Sequence, residues 1–206
     1  MHAEWGKVVE VQAMGSRGLF KHHGQEVWEQ LAAEMGGEFE KHTSWKRDRI
    51  HARVAGWTVT LDIHSEAGYR SEAMHTRFRG AHLGGSGLRF EIYHHGIFDG
   101  VARLLGSHIV PIDDAAFDRM FTIKATDADK IRELLKNDRI RELMMTEPEI
   151  NVQLRDSGDW FAEDHPDGVD EIVLEVEGEV KSQQRIERLF RLFAEILHAA
   201  GEIDPG

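Results

Sequence analysis

Cysteine is absent from this chain, which excludes disulfide staples, thiolate zinc sites and a thiol nucleophile together. Proline is scarce, at four residues, and aromatic side chains make up only 8%. No apolar run approaches the ~20 residues a membrane helix needs. The opening MHAEWGKVVEVQAMG has no basic stretch leading into a long apolar one, so neither a span nor a secretory leader is expected. Positive charge is in deficit: 25 Lys and Arg stand against 37 Asp and Glu, a formal net charge of -12. That balance argues against a general affinity for nucleic acid or for an anionic membrane surface. The cytoplasm is the expected compartment.

What is present suffices for a sizeable core. The 206 residues are 41% hydrophobic and 30% charged, the balance of a folded chain rather than a disordered one. Helical spacing of Val27, Trp28, Leu31 and Met35 predicts a helix from Gln25 to Met35, stopped by Gly36-Gly37. A short strand is expected around Val8 to Val11, and a short helix over Phe98 to Leu105.

A hairpin can be read down to its register. Ile50, Ala52 and Val54 alternate with Arg49, His51 and Arg53; after Ala55-Gly56, Trp57, Val59, Leu61 and Ile63 alternate with Thr58, Thr60, Asp62 and His64. A two-residue turn pairs Val54 with Trp57, Ala52 with Val59 and Ile50 with Leu61, so that the apolar residues share one side. Arg49 then faces Asp62. Met74 to Arg79 and Leu88 to Tyr93 alternate in the same way, and a meander is the simplest order for these strands. Ile109 to Ile112 carries Pro111 and is expected at a sheet edge. The FTIKA segment reads as a strand, and Thr126 or Asp127 caps the helix that follows, which continues or restarts at Asp138. Strands Ile150 to Arg155 and Ile172 to Glu177 flank the polar loop DSGDWFAEDHPDGVD. The last helix, Ser182 to Ala200, carries the stripe Ile186, Leu189, Phe190, Phe193, Ile196 and Leu197, and Gly201 is expected to cap it. The fold class is α+β, with antiparallel sheet and helices packed on one face; two similar halves are an alternative. One domain over 1–206 is expected, with lobes at 1–106 and 117–206 as the other division.

Three clusters carry chemistry. Arg49, His51, Arg53, His75, Arg77, Arg79 and Arg89 fall on the polar side of the first strands, where they suit a small anion or an acidic partner segment; the structural reading is a face either solvated and balanced by Asp62, Glu66, Glu72 and Glu91 or covered by the acidic second half. Among 13 histidines, His64, His75 and His94 with Glu91 are the nearest approach to a metal set, although no zinc-type spacing occurs. The acidic stretch from Glu147 to Glu179 holds Arg155 as its one basic residue, and Trp160-Phe161 within it could anchor a docking partner or tuck into the core.

Catalytic signatures are missing. There is no phosphate-binding G-x-x-x-x-G-K-[ST], and Gly84-Gly85-Ser86-Gly87 is not a dinucleotide loop. Leu88 stands where a nucleophile elbow needs its last glycine. The segment FDRMFTIKATDADKIRELL, Phe117 to Leu135, resembles a stretch of uncharacterised bacterial proteins in its acidic-aromatic lead, short strand and capped helix. The resemblance implies a bacterial origin and transfers no site residue. The expected function is a non-enzymatic binding or adaptor protein that recognises a protein or a small anion, with no cofactor. The rivals are a metal-dependent hydrolase and a self-associating protein using the last helix or Trp160.

Overall fold

The computed structural model describes residues 38–40, 49–54, 57–67, 72–82, 86–95, 108–147, 149–156 and 170–205. The expected strand near Val8, the helices at 25–35 and 98–105, and Trp160-Phe161 lie outside the described residues.

Among the described residues nine strands form one sheet: β1 (Glu38–Glu40), β2 (Arg49–Val54), β3 (Trp57–Ala67), β4 (Glu72–His82), β5 (Phe90–His94), β6 (His108–Ile109), β7 (Phe121–Ala125), β8 (Ile150–Asp156) and β9 (Asp170–Glu177). Their order is β1-β2-β3-β4-β9-β8-β5-β7-β6, and each neighbouring pair is antiparallel. The β2–β3 register is the one that alternation predicts: Val54 faces Trp57, Ala52 faces Val59, Ile50 faces Leu61 and Arg49 faces Asp62. The simple meander fails after β4. Its free edge pairs with β9, and β5 sits between β8 and β7. Periodicity assigns sides to residues; it carries no information about which of several compatible edges a strand will choose.

Four helices are described: α1 (Phe117–Met120), α2 (Ala128–Leu134), α3 (Asp138–Met145) and α4 (Gln183–Ile203). The Asp127 carboxylate accepts from the backbone N–H groups of Asp129 and Lys130 and so starts α2; Asn137 does the same for α3. These caps answer donors that the first turn of a helix cannot pair internally. The two helices are a restart, not one run, because Leu135 to Asn137 leave the helical path.

The apolar sides of the strands merge into one core. Leu61, Phe78, Leu174, Val152, Ile92 and Ile123 follow one another across β3, β4, β9, β8, β5 and β7, all fully buried or nearly so. Helix α4 lies over β4: Phe78 meets Phe193 at 5.9 Å and Phe190 at 6.4 Å between ring centroids. Its stripe of Ile186, Leu189, Phe193, Ile196 and Leu197 is buried, so it serves the core of this chain. Burial of each such side chain contributes ~1.5–3 kcal/mol. Gly201 does not end the helix, which runs on to Ile203 with Asp204 as its cap. Its missing side chain instead admits Trp57, whose ring would lie 3.3 Å from a β-carbon there.

Candidate functional site

The other side of the sheet is polar almost from end to end, and register arranges it in two rows. One runs Arg49, Asp62, Arg77, Glu175, Asn151, Tyr93, Thr122 across β2, β3, β4, β9, β8, β5 and β7. The next runs His51, Thr60, Arg79, Val173, Gln153, Glu91, Lys124. Cations gather on β2–β4 and carboxylates on β9 and β5.

This face is not the solvated surface expected of exposed charged strands. Asp62 and Arg79 are each 3% exposed and Arg77 is 7% exposed, and Thr60, His75, Glu91, Asn151 and Glu171 are buried with them. Burial of charge is tolerated because the charges are paired. Arg77 donates through Nε to Asp62 Oδ1 and through Nη2 to Oδ2, both at 2.9 Å; Arg79 Nη2 adds a third bond to Oδ2 at 3.0 Å. Burial alone would lower the Arg77 pKa, but the hydrogen bonds and negative charge of Asp62 outweigh it and hold it above its ordinary value. Arg79 also lies 3.6 Å from Glu171, whose other oxygen accepts from Arg155 at 3.3 Å.

The remaining members of the expected anion set fall around this knot. The His51 Nδ1 and the Thr60 hydroxyl are in hydrogen-bond contact at 3.2 Å. His75 stands opposite His64 in register. Arg49 and Arg53 stand opposite Asp62 and Thr58, with only their backbone described. Arg89 is elsewhere: it forms a fork on Asp170, with bonds of 2.7 and 2.8 Å.

Of the expected metal set, His64 and His75 stand opposite each other in register on β3 and β4, while Glu91 and His94 lie apart from them. His75 on β4 and Glu91 on β5 have β9 and β8 between them, a separation of roughly 14 Å at ~4.8 Å per strand. His94 is three residues from Glu91 along one strand, on the opposite side, edge-on to Phe121 at 5.8 Å. Among the described residues no three His, Asp or Glu are grouped to hold an ion. Sequence alternation could place each residue on a side; it could not give the strand order that separates them.

A second polar patch lies where β8, β5 and β7 meet. Burial pushes the Glu91 carboxyl pKa up, against the opposing pull of Lys124. Gln153 donates to its Oε1 at 3.3 Å, and the Lys124 ammonium lies 3.8 Å from Oε2 and 4.9 Å from the Tyr93 ring centroid. Asn151, diagonal to Glu91, is buried beside it. Thr122 Oγ and His95 Nδ1 are 2.9 Å apart. Asn151, Gln153 and Lys124 were not among the expected site residues; their one sequence signal is the polar half of the alternation in β8 and β7.

No protein-family model matches the chain, and no curated protein matches it. Its fold is similar to the crystal structure of the mycobacterial trehalose monomycolate transport factor A, TtfA, with a TM-score of 0.57 over 90% of this chain and 98% of that one. Identity between the two is 11%, so the likeness is one of fold alone. Among the described residues no helix is long and apolar enough to cross a membrane.

Proposed function

We propose that this is a binding protein rather than an enzyme, one domain with its helices layered on the apolar side of the sheet, and that it holds a small anion against strands β2–β4. The observation that carries the reading is the convergence of two buried guanidinium groups, Arg77 and Arg79, on the single carboxylate of Asp62, with Arg49 and Arg53 at neighbouring register positions. Planar guanidinium forks suit phosphate and carboxylate groups. In this reading Asp62 is the internal counter-ion, and a ligand anion competes with it for the same donors. The buried setting favours a compact ligand such as orthophosphate. The missing catalytic signatures favour binding over catalysis in this reading.

Competition gives the test its direction. Thermal unfolding of the parent chain and of Asp62→Asn is followed against sodium phosphate at low ionic strength. Phosphate raises the midpoint of both, and raises that of D62N further, because ligand binding adds stability as RT ln(1 + [L]/Kd) and the rival carboxylate is gone. Absence of a shift at 10 mM phosphate or citrate sinks the anion reading. A protein partner recovered by pull-down in that case would leave a binding role and move it to another ligand class.

A further inference from the structure

The patch at the β8–β5–β7 junction goes beyond the anion reading and does not rest on it. Glu91 and Asn151 are each 2% exposed, yet Asn151 Oδ1 has no hydrogen-bond partner and Glu91 Oε2 has the Lys124 ammonium no nearer than 3.8 Å. Buried acceptors without donors are costly, and native proteins keep few of them. Both belong to the same side of adjacent strands, on the diagonal set by the Tyr93–Asn151 and Glu91–Gln153 pairs. Around them Tyr93, Gln153 and Lys124 are only half-buried, so the patch reaches the surface at its edge.

The missing groups are therefore hydrogen-bond donors, and local charge decides their kind. The Glu91 carboxylate is matched by the Lys124 ammonium at 3.8 Å, and Glu175 by Arg77 opposite it. An ammonium ligand would be repelled by Lys124, and an anion by Glu91. A neutral donor fits: adjacent hydroxyls can give one hydrogen to Glu91 Oε2 and another to Asn151 Oδ1, while the Gln153 amide and the Thr122 hydroxyl supply further polar edges. Tyr93 offers an apolar surface for C–H groups, in keeping with sites that combine apolar walls and a few placed polar groups. The geometry points to a binding site for a small neutral polyol on this patch, with Glu91 and Asn151 as its buried acceptors.

Titration calorimetry of the full chain with maltose and with myo-inositol tests this, with ethylammonium chloride and sodium phosphate as charged controls. The expected result is saturable binding of a polyol, weakened tenfold or more in Glu91→Gln and in Asn151→Ala. Asn151→Ala should keep a thermal midpoint near that of the parent, since it removes a buried acceptor that has no partner, whereas Glu91→Gln gives up the charge of the Lys124 pair and should melt somewhat lower. If either variant lacks a thermal transition, Gln153→Leu at the half-exposed rim carries the same comparison. No saturable polyol binding would overturn the inference, as would binding that these substitutions leave unchanged, or an Asn151-dependent response to ethylammonium or phosphate instead. None of those results bears on the phosphate response of D62N, which reports on β2–β4.

Discussion

At the scale of single residues, the knot around Asp62 shows how a polar face can be buried at all. Asp62 receives three hydrogen bonds from two guanidinium groups, so most of what its ionised oxygens lose in leaving water is returned by charge-assisted bonds. Such a pair is poor evidence of net stabilisation, because desolvation offsets attraction, but breaking it is expensive. Asp62→Asn takes from Arg77 and Arg79 the carboxylate they share, and leaves Arg79 with Glu171 at 3.6 Å. The expected cost is about 3–5 kcal/mol, read as a lowered urea midpoint in the absence of phosphate. Replacing Asp62, Arg77 and Arg79 together by Leu, Met and Met should cost much less than the single change. Were the single change the milder of the two, the knot would not be acting as a paired unit. Glu147 shows the same device at the end of α3, where it takes Arg185 at 2.8 Å and Arg188 at 3.3 Å.

At the scale of elements, the contact between α4 and β4 depends on a residue with no side chain. Gly80 stands in mid-strand, and a β-carbon there would meet Leu197 at 3.1 and 3.3 Å and Phe193 at 3.4 Å. Gly80→Val overfills that contact and should cost ~1–3 kcal/mol, whereas Gly80→Ala needs only a small shift of the Leu197 side chain. Urea unfolding of the two variants checks the order, and equal costs would mean that α4 can lift without penalty. Much of this level was legible in the sequence. The 49–64 hairpin declared its register because a two-residue turn at Ala55-Gly56 puts Trp57, Val59 and Leu61 on the side of Ile50 and Ala52. Helix α4 declared its buried stripe through 3.6-residue spacing, and Asp127 announced a helix start by its side-chain chemistry; the Asn137 cap came to light only in the structure. Two things were not legible. Joining β4 to β9 needs a choice among open edges that no local pattern encodes. Whether the side of Arg77 and Arg79 is covered or solvated stayed open, because alternation tells which residues share a side, never whether that side meets water.

At the scale of the whole molecule, Asp204 ties distant pieces of chain together. It caps α4, accepts from Lys130 of α2 at 2.9 Å, meets His82 at the end of β4 at 3.4 Å, and hydrogen-bonds Ser86 in the segment leading to β5. Its side chain is 2% exposed. Burial would raise its pKa, but the bonds from Ser86, Lys130 and His82, with the charge of Lys130, outweigh it and hold the value at about 2, against an ordinary 3.8. A carboxylate whose pKa is lower in the folded chain stabilises that state above its unfolded pKa, and the contribution fades as pH falls through the folded value. The difference amounts to ~2 kcal/mol. Asp204→Asn should therefore be about that much less stable than the parent near pH 7. The gap should narrow between roughly pH 4 and pH 2, as the parent's carboxylate takes up its proton. Urea midpoints of both proteins along that range read the gap directly. A deficit that stays constant into acid would assign the loss to packing and hydrogen-bond geometry, and Asp204 would then tie the helices to the sheet by shape rather than by charge.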